Sequence, residues 1–129
     1  MVLSLGSAAD ANRAAIQQAV DETAAQGGGK VVIPAGIWPT GAIELKSGVE
    51  LHLEKGATLK GSTKRSDYNA DDVFPGNPSS VGEEWSGGHL VWAYRAKDIA
   101  ITGEGTIDGN GGAFFGDCQY NWWPLGYKY

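Results

Sequence analysis

Three tryptophans stand in loop-like stretches of the sequence, where an exposed indole face can stack on a ligand. They are Trp85, Trp122 and Trp123. Sugar rings pack well on aromatic faces, so these three residues are the candidates for carbohydrate contact. Packing of the same side chains against the body of the protein is the competing and commoner interpretation.

Other residue types that can bind metals or react are explained in this sequence by ordinary structural roles. His52 lies in a strand-like run whose odd positions are apolar, so its side chain is expected to face solvent, with metal ligation as the alternative. Cys118 is the only cysteine and has no CxxC or histidine neighbour, so it is expected to be packing filler. The glycines at 27–29 follow a helical pattern, unlike those of a phosphate-binding loop. We therefore expect no metal and no cofactor.

Composition excludes several classes of protein. The chain has 129 residues, 42% of them hydrophobic and 19% charged, which indicates a globular chain rather than a disordered one. No apolar run approaches the length of a membrane-spanning helix. The net charge of −5 argues against nucleic acid or an anionic membrane as the main partner. The first residues lack the basic and apolar regions of a signal peptide.

The elements that would position these residues are one helix followed by short strands. Apolar residues recur at helical spacing from Asp10 to Ala25, with Asp10 or Asn12 as the N-cap and the glycines at 27–29 as the terminator. Val2–Leu5 alternates like a short strand. After Lys30 the period changes to two, and brief apolar runs alternate with turns.

An internal repeat suggests that these strands stack. Residues 51–61 align without a gap to residues 99–109, at an offset of 48. Similarity of apolar strand positions and turn glycines at a fixed period is typical of a solenoid, although chance similarity between β-rich stretches is the alternative. The offset fits either two coils or one coil that carries a long loop, and residues 62–88 have the polar composition of such a loop.

Several blocks of sequence resemble known β-helical enzymes. The stretch from Asp10 to Gly36 is similar to the N-terminal cap helix and first coil of the pectate-lyase-like superfamily. Three further blocks are similar to the polygalacturonase family, glycoside hydrolase family 28: TGAIELKS from Thr40, LHLEKGATLKGS from Leu51 and DIAITGEGTIDGNG from Asp98. The turn before the helix, Gly6–Ala9, is shorter than is usual in the family.

The resemblance implies an all-β fold, a right-handed parallel β-helix with an N-terminal capping α-helix, of which this chain forms the first coils. We expect one segment over 1–129, with a cap at 1–29, coils at 30–112 and an aromatic tail at 113–129. The family hydrolyses α-linked galacturonide chains by an inverting mechanism with two carboxylates. It also implies a secreted or periplasmic protein.

The catalytic motifs of that family are missing from this sequence. There is no Asn-Thr-Asp block, and Asp71-Asp72 lies in the polar loop rather than on a later coil. Arg95-Ala96-Lys97 imitates the Arg-x-Lys that holds the substrate carboxylate, but it follows no Gly-His-Gly block. We therefore assign no catalytic residue.

Two functions follow from these observations. The first is the N-terminal part of a pectin-degrading glycoside hydrolase, inactive without its catalytic coils. The second is a non-catalytic β-helix module that binds polysaccharide or assembles with other chains. In both cases the C-terminal end of the stack needs a cover, which further chain, a second copy or the aromatic tail can provide.

Overall fold

The computed structural model describes residues 1–68 and 89–115, in which a long helix precedes short parallel strands. The elements are α1 (Ala9–Ala25), β1 (Gly29–Ile33), β2 (Gly36–Thr40), β3 (Ile43–Glu44), β4 (Val49–Leu53), β5 (Ala57–Gly61), a 3₁₀ turn (Arg65–Asp67), β6 (Val91–Trp92), β7 (Ala100–Gly103), β8 (Thr106–Asp108) and α2 (Gly112–Phe115).

The strands form three sheets, and every pairing within them is parallel. The orders are β1-β4-β7, β2-β5-β8 and β3-β6. The chain thus visits the sheets in the same cyclic order, and we call one such passage a round. β1–β3 form the first round, β4–β6 the second, and β7 and β8 belong to the third. Each strand lies directly against its equivalent in the next round.

The repeat at an offset of 48 corresponds to a single round. β5 pairs directly with β8, with Thr58 opposite Thr106, so the long segment after β5 is an insertion within the second round. The ungapped alignment is wrong for the preceding strand, where Leu51 lies opposite Ile101 rather than Ile99. The cause is a turn two residues shorter after β7. A shift of two keeps each side chain on the same face of the sheet, which is why the repeat remains visible.

The core is made of apolar side chains that point inward from alternate strand positions. Val31 lies opposite Leu51 and Ile33 opposite Leu53, and all four are essentially buried. Full burial of each such side chain contributes about 1.5–3 kcal/mol. The alternating pattern of β4 confirms that its even positions face outward.

Helix α1 covers the N-terminal end of this core, as a capping helix should. Its buried residues are Asn12, Ile16, Ala19, Val20 and Thr23, and its contacts are to β1–β4. The helix ends where the sequence predicts. Gly27, Gly28 and Gly29 all have positive φ, and the amide of Gly27 donates to the carbonyl of Ala24.

The start of α1 differs from the prediction. The N-cap is Ala8, and neither predicted residue caps the helix with its side chain. The carboxylate of Asp10 accepts only from the neighbouring amide of Ala11, at 2.8 Å. Asn12 lies inside the first turn and is 2% exposed, with its side chain turned to the preceding segment and to β2.

Asn12 links α1, the segment that precedes it and β2, which are not paired with one another as strands. Its Oδ1 accepts from the amide of Gly6, and its Nδ2 donates to the carbonyls of Gly6 and Pro39, each at 2.8 Å. The short turn before the helix is thereby fastened to both α1 and β2. Periodicity cannot reveal this role, because a buried asparagine breaks the apolar pattern.

Two strand boundaries also need correction. Val2–Leu5 is no strand, since only Val2 bridges to Val32, although Leu3 and Leu5 pack against the core. β2 follows Pro34, which favours a turn, and it contains Pro39, which has no backbone donor for a ladder. The parallel partner β5 nevertheless pairs along the whole of β2.

The third round leaves apolar side chains in contact with solvent. Ile101 is 50% exposed, and Ile99 and Ile107 are 37% and 39% exposed. β7 and β8 lie at the edges of their sheets within the described residues, so their inward side chains are covered on one side only.

Replacement of Asn12 by alanine is expected to lower the free energy of unfolding by about 2 kcal/mol, because three backbone groups lose their partner. This value already includes a gain of about 0.7 kcal/mol from the higher helix propensity of alanine, which partly offsets the loss of the hydrogen bonds. Asp10→Ala, two residues earlier in α1 and exposed, is the matched control and should cost under about 1 kcal/mol. Urea unfolding of both variants measures the difference, and equal midpoints would contradict the role of Asn12.

Candidate functional site

A groove of about 700 Å³ opens where α1 begins and β5 ends. We call it the α1–β5 groove. Its polar lining includes Asp10, Lys60, Lys64, Asp67 and Asn110.

The parallel topology brings this lining together. β2, β5 and β8 end at Thr40, Gly61 and Asp108, and parallel strands place these ends at one edge of the sheet. The segments that leave β5 and β8 therefore start side by side. The turn before α1 reaches the same edge, because Asn12 holds Gly6 near Pro39.

Hydrogen bonds fix the segment that follows β5. Ser62 is 4% exposed, and its hydroxyl donates to the carboxylate of Asp67 and accepts from the amide of Lys64. The hydroxyl of Tyr68 donates to the carbonyl of Ser62 at 2.9 Å. Burial, and then the nearby charge of Asp67, raise the pKa of Tyr68 above its ordinary value. These hydrogen bonds hold this wall of the groove in place without a ligand.

The opposite wall is held by Asn110, which has a φ of +53°. Its amide N–H donates to the carboxylate of Asp108 at 2.8 Å, and its Nδ2 donates to the carbonyl of Gly61 at 3.0 Å. Asp108 and Asn110 thus form a turn that is held by side-chain bonds to the backbone. Gly61 is required here, since a Cβ would approach the carbonyl oxygen of Gly109 to 2.8 Å.

Among the described residues, the carboxylates around the groove accept hydrogen bonds, whereas no ion pair joins the lysine ammonium groups of the lining to a carboxylate. Asp10 accepts from Ala11, Asp67 from Ser62 and Asp108 from Asn110. Within residues 1–68 and 89–113, neither Lys60 nor Lys64 has a carboxylate within 4.0 Å of its ammonium nitrogen. The lining therefore places two ammonium groups beside carboxylates that accept hydrogen bonds.

A second polar cluster lies on the outer face of the β1-β4-β7 sheet. We call it the outer ladder, formed by Lys30, Glu50, His52 and Thr102. The hydroxyl of Thr102 donates to Glu50 at 2.6 Å, and its oxygen lies 2.8 Å from Nδ1 of His52. Lys30 pairs with Glu50 at 3.6 Å. Because the hydroxyl proton goes to Glu50, Nδ1 of His52 must be the donor to Thr102.

The outer ladder stabilises an ionised carboxylate. The hydrogen bond from the Thr102 hydroxyl lowers the pKa of Glu50 below its ordinary 4.5; desolvation opposes this, and the charge of Lys30 adds a lesser lowering. His52 faces outward as predicted, and it contacts a hydroxyl and a carboxylate. In the described part of the chain, no three His, Cys, Asp or Glu side chains gather as a metal site would require.

The tryptophans predicted to contact sugar lie outside the described residues. This holds for Trp85, Trp122 and Trp123, and also for Asp71-Asp72 and Cys118. Their predicted roles stay predictions.

Lys97 and Arg95 lie in a turn before β7, as expected for surface groups. The backbone amide of Lys97 donates to the hydroxyl of Ser47 at 3.0 Å, and Arg95 stacks 5.3 Å above the ring of Tyr94. Trp92 lies in β6. No helix in the described ranges is long and apolar enough to span a bilayer.

Sequence reasoning missed the α1–β5 groove. The available signal was the run Lys60 to Lys64, in which two cations flank three small residues directly after a strand. That run shows nothing by itself, because the residues on the far wall come from segments about 50 positions away in the chain. Only the parallel register brings them together.

Comparison with models of known protein families gave no match. Among curated proteins, the chain is 37% identical over 116 residues to the exo-poly-alpha-D-galacturonosidase of Dickeya chrysanthemi, covering 78% of this chain and 17% of that protein. It is 34% identical over 112 residues to a probable polygalacturonase of Vitis vinifera, covering 81% and 22%. The chain thus spans about a fifth of the length of these relatives.

Solved structures of polygalacturonases also match most of this chain and a small part of their own length. The family 28 exopolygalacturonase of Yersinia enterocolitica matches with a TM-score of 0.65 and 36% identity, over 81% of this chain and 18% of that one. A hyperthermoactive exopolygalacturonase from Thermotoga maritima matches with a TM-score of 0.61 and 33% identity, over 75% and 21%.

Thr102→Val is expected to raise the pKa of Glu50 towards its ordinary value, because it removes the largest stabilising contact and keeps the side-chain shape. Lys30→Gln, the matched control, should raise it less. A lowered folded pKa gives stability that is present above the unfolded pKa and lost as the pH falls through the folded value. NMR titration of the Glu50 carboxyl measures both variants, and an unchanged pKa in Thr102→Val would contradict this assignment.

Proposed function

The chain resembles the N-terminal portion of the polygalacturonases, glycoside hydrolase family 28, and from this premise we propose that it forms the first coils of a pectin-degrading glycoside hydrolase. The observation that carries the proposal is the agreement of sequence and fold with named polygalacturonases over about four fifths of the chain. The substrate would be an α-linked galacturonide chain.

The stacked rounds support a right-handed parallel β-helix. Crossovers between parallel strands of one sheet are almost always right-handed, and here every connection returns to the sheet one strand further along. In this proposal residues 1–29 form the cap, residues 30–112 the coils and residues 113–129 a tail. The protein would act outside the cytoplasm, as a secreted or periplasmic enzyme.

The catalytic carboxylates would lie beyond these coils. An inverting glycosidase needs one carboxylic acid at the leaving oxygen and one carboxylate at the attacking water, about 6.5–9.5 Å apart. The sequence has no Asn-Thr-Asp block. The role of these residues would then be to cap the stack and to give the next coil a template of parallel strands.

A non-catalytic module that binds polysaccharide or assembles is the second candidate. It is favoured by the exposed Ile101 and Ile107, which give the third round an apolar surface. In an enzyme the next coil covers that surface, and in a module another chain does.

Release of reducing ends from polygalacturonate tests the first proposal. We expect no turnover by the 129-residue chain, because its sequence has no Asn-Thr-Asp block, and turnover by a gene product that continues into one. Turnover by the chain alone that is lost in Asp71→Asn/Asp72→Asn would show that the catalytic residues are here. An inactive longer product would favour the binding module.

Size-exclusion chromatography with light scattering tests the uncovered end. We expect the 129-residue chain to self-associate with increasing concentration, and Ile101→Glu/Ile107→Glu to shift it towards monomer, since charges resist burial between coils. Ile37→Glu is the matched control, because Ile37 is 68% exposed in the first round. A monomer in which hydrogen exchange at 101 and 107 is slow would instead show that the tail covers this end.

A further inference from the structure

We propose that Asn110 is a site of spontaneous deamidation, with the backbone nitrogen of Gly111 as the nucleophile, and that the reaction releases the turn after β8 from the second round. The reacting group is the protein's own side-chain amide, and the co-reactant is water. Neither this chemistry nor its consequence depends on the proposed function.

Asn110 is the asparagine of the described residues that is placed to react. In deamidation the nitrogen of the following residue has to reach Cγ of the asparagine, and a glycine has no side chain to block that approach. Asn110 precedes Gly111, whereas the other asparagine of the described ranges, Asn12, precedes Arg13. Asn12 is also 2% exposed, and both polar atoms of its side chain are bonded, so its amide is held away from solvent.

The local backbone leaves the attacking nitrogen available. Asn110 follows the last residue pair of the β5-β8 ladder, and its φ of +53° places it in a tight turn. Its carbonyl accepts from the amide of Ala113 at 3.1 Å, and its own amide donates to Asp108. In the part of the chain that the structure describes, no hydrogen bond engages the amide of Gly111. The side chain of Asn110 is only partly buried, so water reaches it.

The reaction converts the side-chain amide into a cyclic imide and then into an acid. Hydroxide takes the proton of the Gly111 amide, and the nitrogen forms a bond to Cγ of Asn110. The bond from Cγ to Nδ2 breaks, and ammonia leaves with a proton from water. A second water opens the succinimide at either carbonyl, which gives an aspartate or an isoaspartate at position 110. The new carboxyl ionises at neutral pH and adds one negative charge to a chain of net charge −5.

The amide that is lost ties the third round to the second. Nδ2 of Asn110 donates to the carbonyl of Gly61, at the end of β5, over 3.0 Å. An aspartate has no donor to replace it, and its carboxylate would face a carbonyl oxygen. The carboxylate of Asp108, already bonded to this turn, adds a like charge nearby. We therefore expect the turn after β8, which forms one wall of the α1–β5 groove, to come away from Gly61.

The same hydrogen bond controls the rate of the reaction. Ring closure rotates the side-chain amide of Asn110 out of the position in which it bonds to Gly61. One hydrogen bond of this kind slows a step that requires it to open by about fivefold. The folded chain therefore reacts more slowly than the same sequence without the fold.

Peptide mapping by mass spectrometry, during storage of the 129-residue chain at mildly alkaline pH, tests the site. We expect aspartate and isoaspartate to accumulate at position 110, about fivefold more slowly than in a synthetic peptide of residues 106–113. Gly111→Ala should slow the reaction severalfold, because the added methyl group hinders the nitrogen. Gly112→Ala is the matched control and should leave the rate unchanged, since a Cβ there meets nothing within 4 Å and lies one residue beyond the nucleophile.

Hydrogen exchange tests the structural consequence. Asn110→Asp, which carries the charge of the product, should speed exchange at residues 108–113. Asn110→Gly should speed it less, because it removes the same hydrogen bond without adding a carboxylate, and glycine accepts a positive φ. Three results would overturn the proposal: a parent chain that stays intact while the peptide is converted, equal rates in Gly111→Ala and the parent, or unchanged exchange in Asn110→Asp. A folded chain that reacts as fast as the peptide would contradict the control of the rate by Gly61.

Discussion

The stacking of inward apolar side chains in parallel register is the interaction on which the rest of this structure depends. Val31, Leu51 and Ile101 occupy equivalent positions in three successive rounds, and each buries the one before it. The register fixes the outer face as well, because side chains alternate along a strand. The side chains of the outer ladder are therefore aligned by the packing of side chains on the opposite face of the sheet.

The same register creates the α1–β5 groove. Strands that end at one edge send their following segments out together, so chemically useful residues gather where the regular structure stops. Asn12 adds the third wall by fastening the turn before α1 to β2. The capping helix thus does two things: it closes the core, and it completes a polar site next to the closed end.

The two ends of the stack of rounds differ: α1 covers the first round, whereas the third round exposes apolar side chains. Ile16 and Val20 of α1 are fully buried against the first round, whereas Ile101 is half exposed in the third. A stack of rounds has no internal signal to stop, since each round offers the next the same strands and the same apolar face.

The sequence by itself determined the capping helix and the alternation in β4, because each is a local pattern of period 3.6 or 2. It also determined the glycine terminator and, through the repeat at an offset of 48, the repeating β architecture. It misplaced Asn12, missed β2 and shifted β7 by two residues. Those errors share a cause: a buried amide, a proline strand and a shortened turn are tolerated only because distant partners compensate. The groove was decided by tertiary structure alone, since Lys60 and Asn110 meet through strand register and not through sequence spacing.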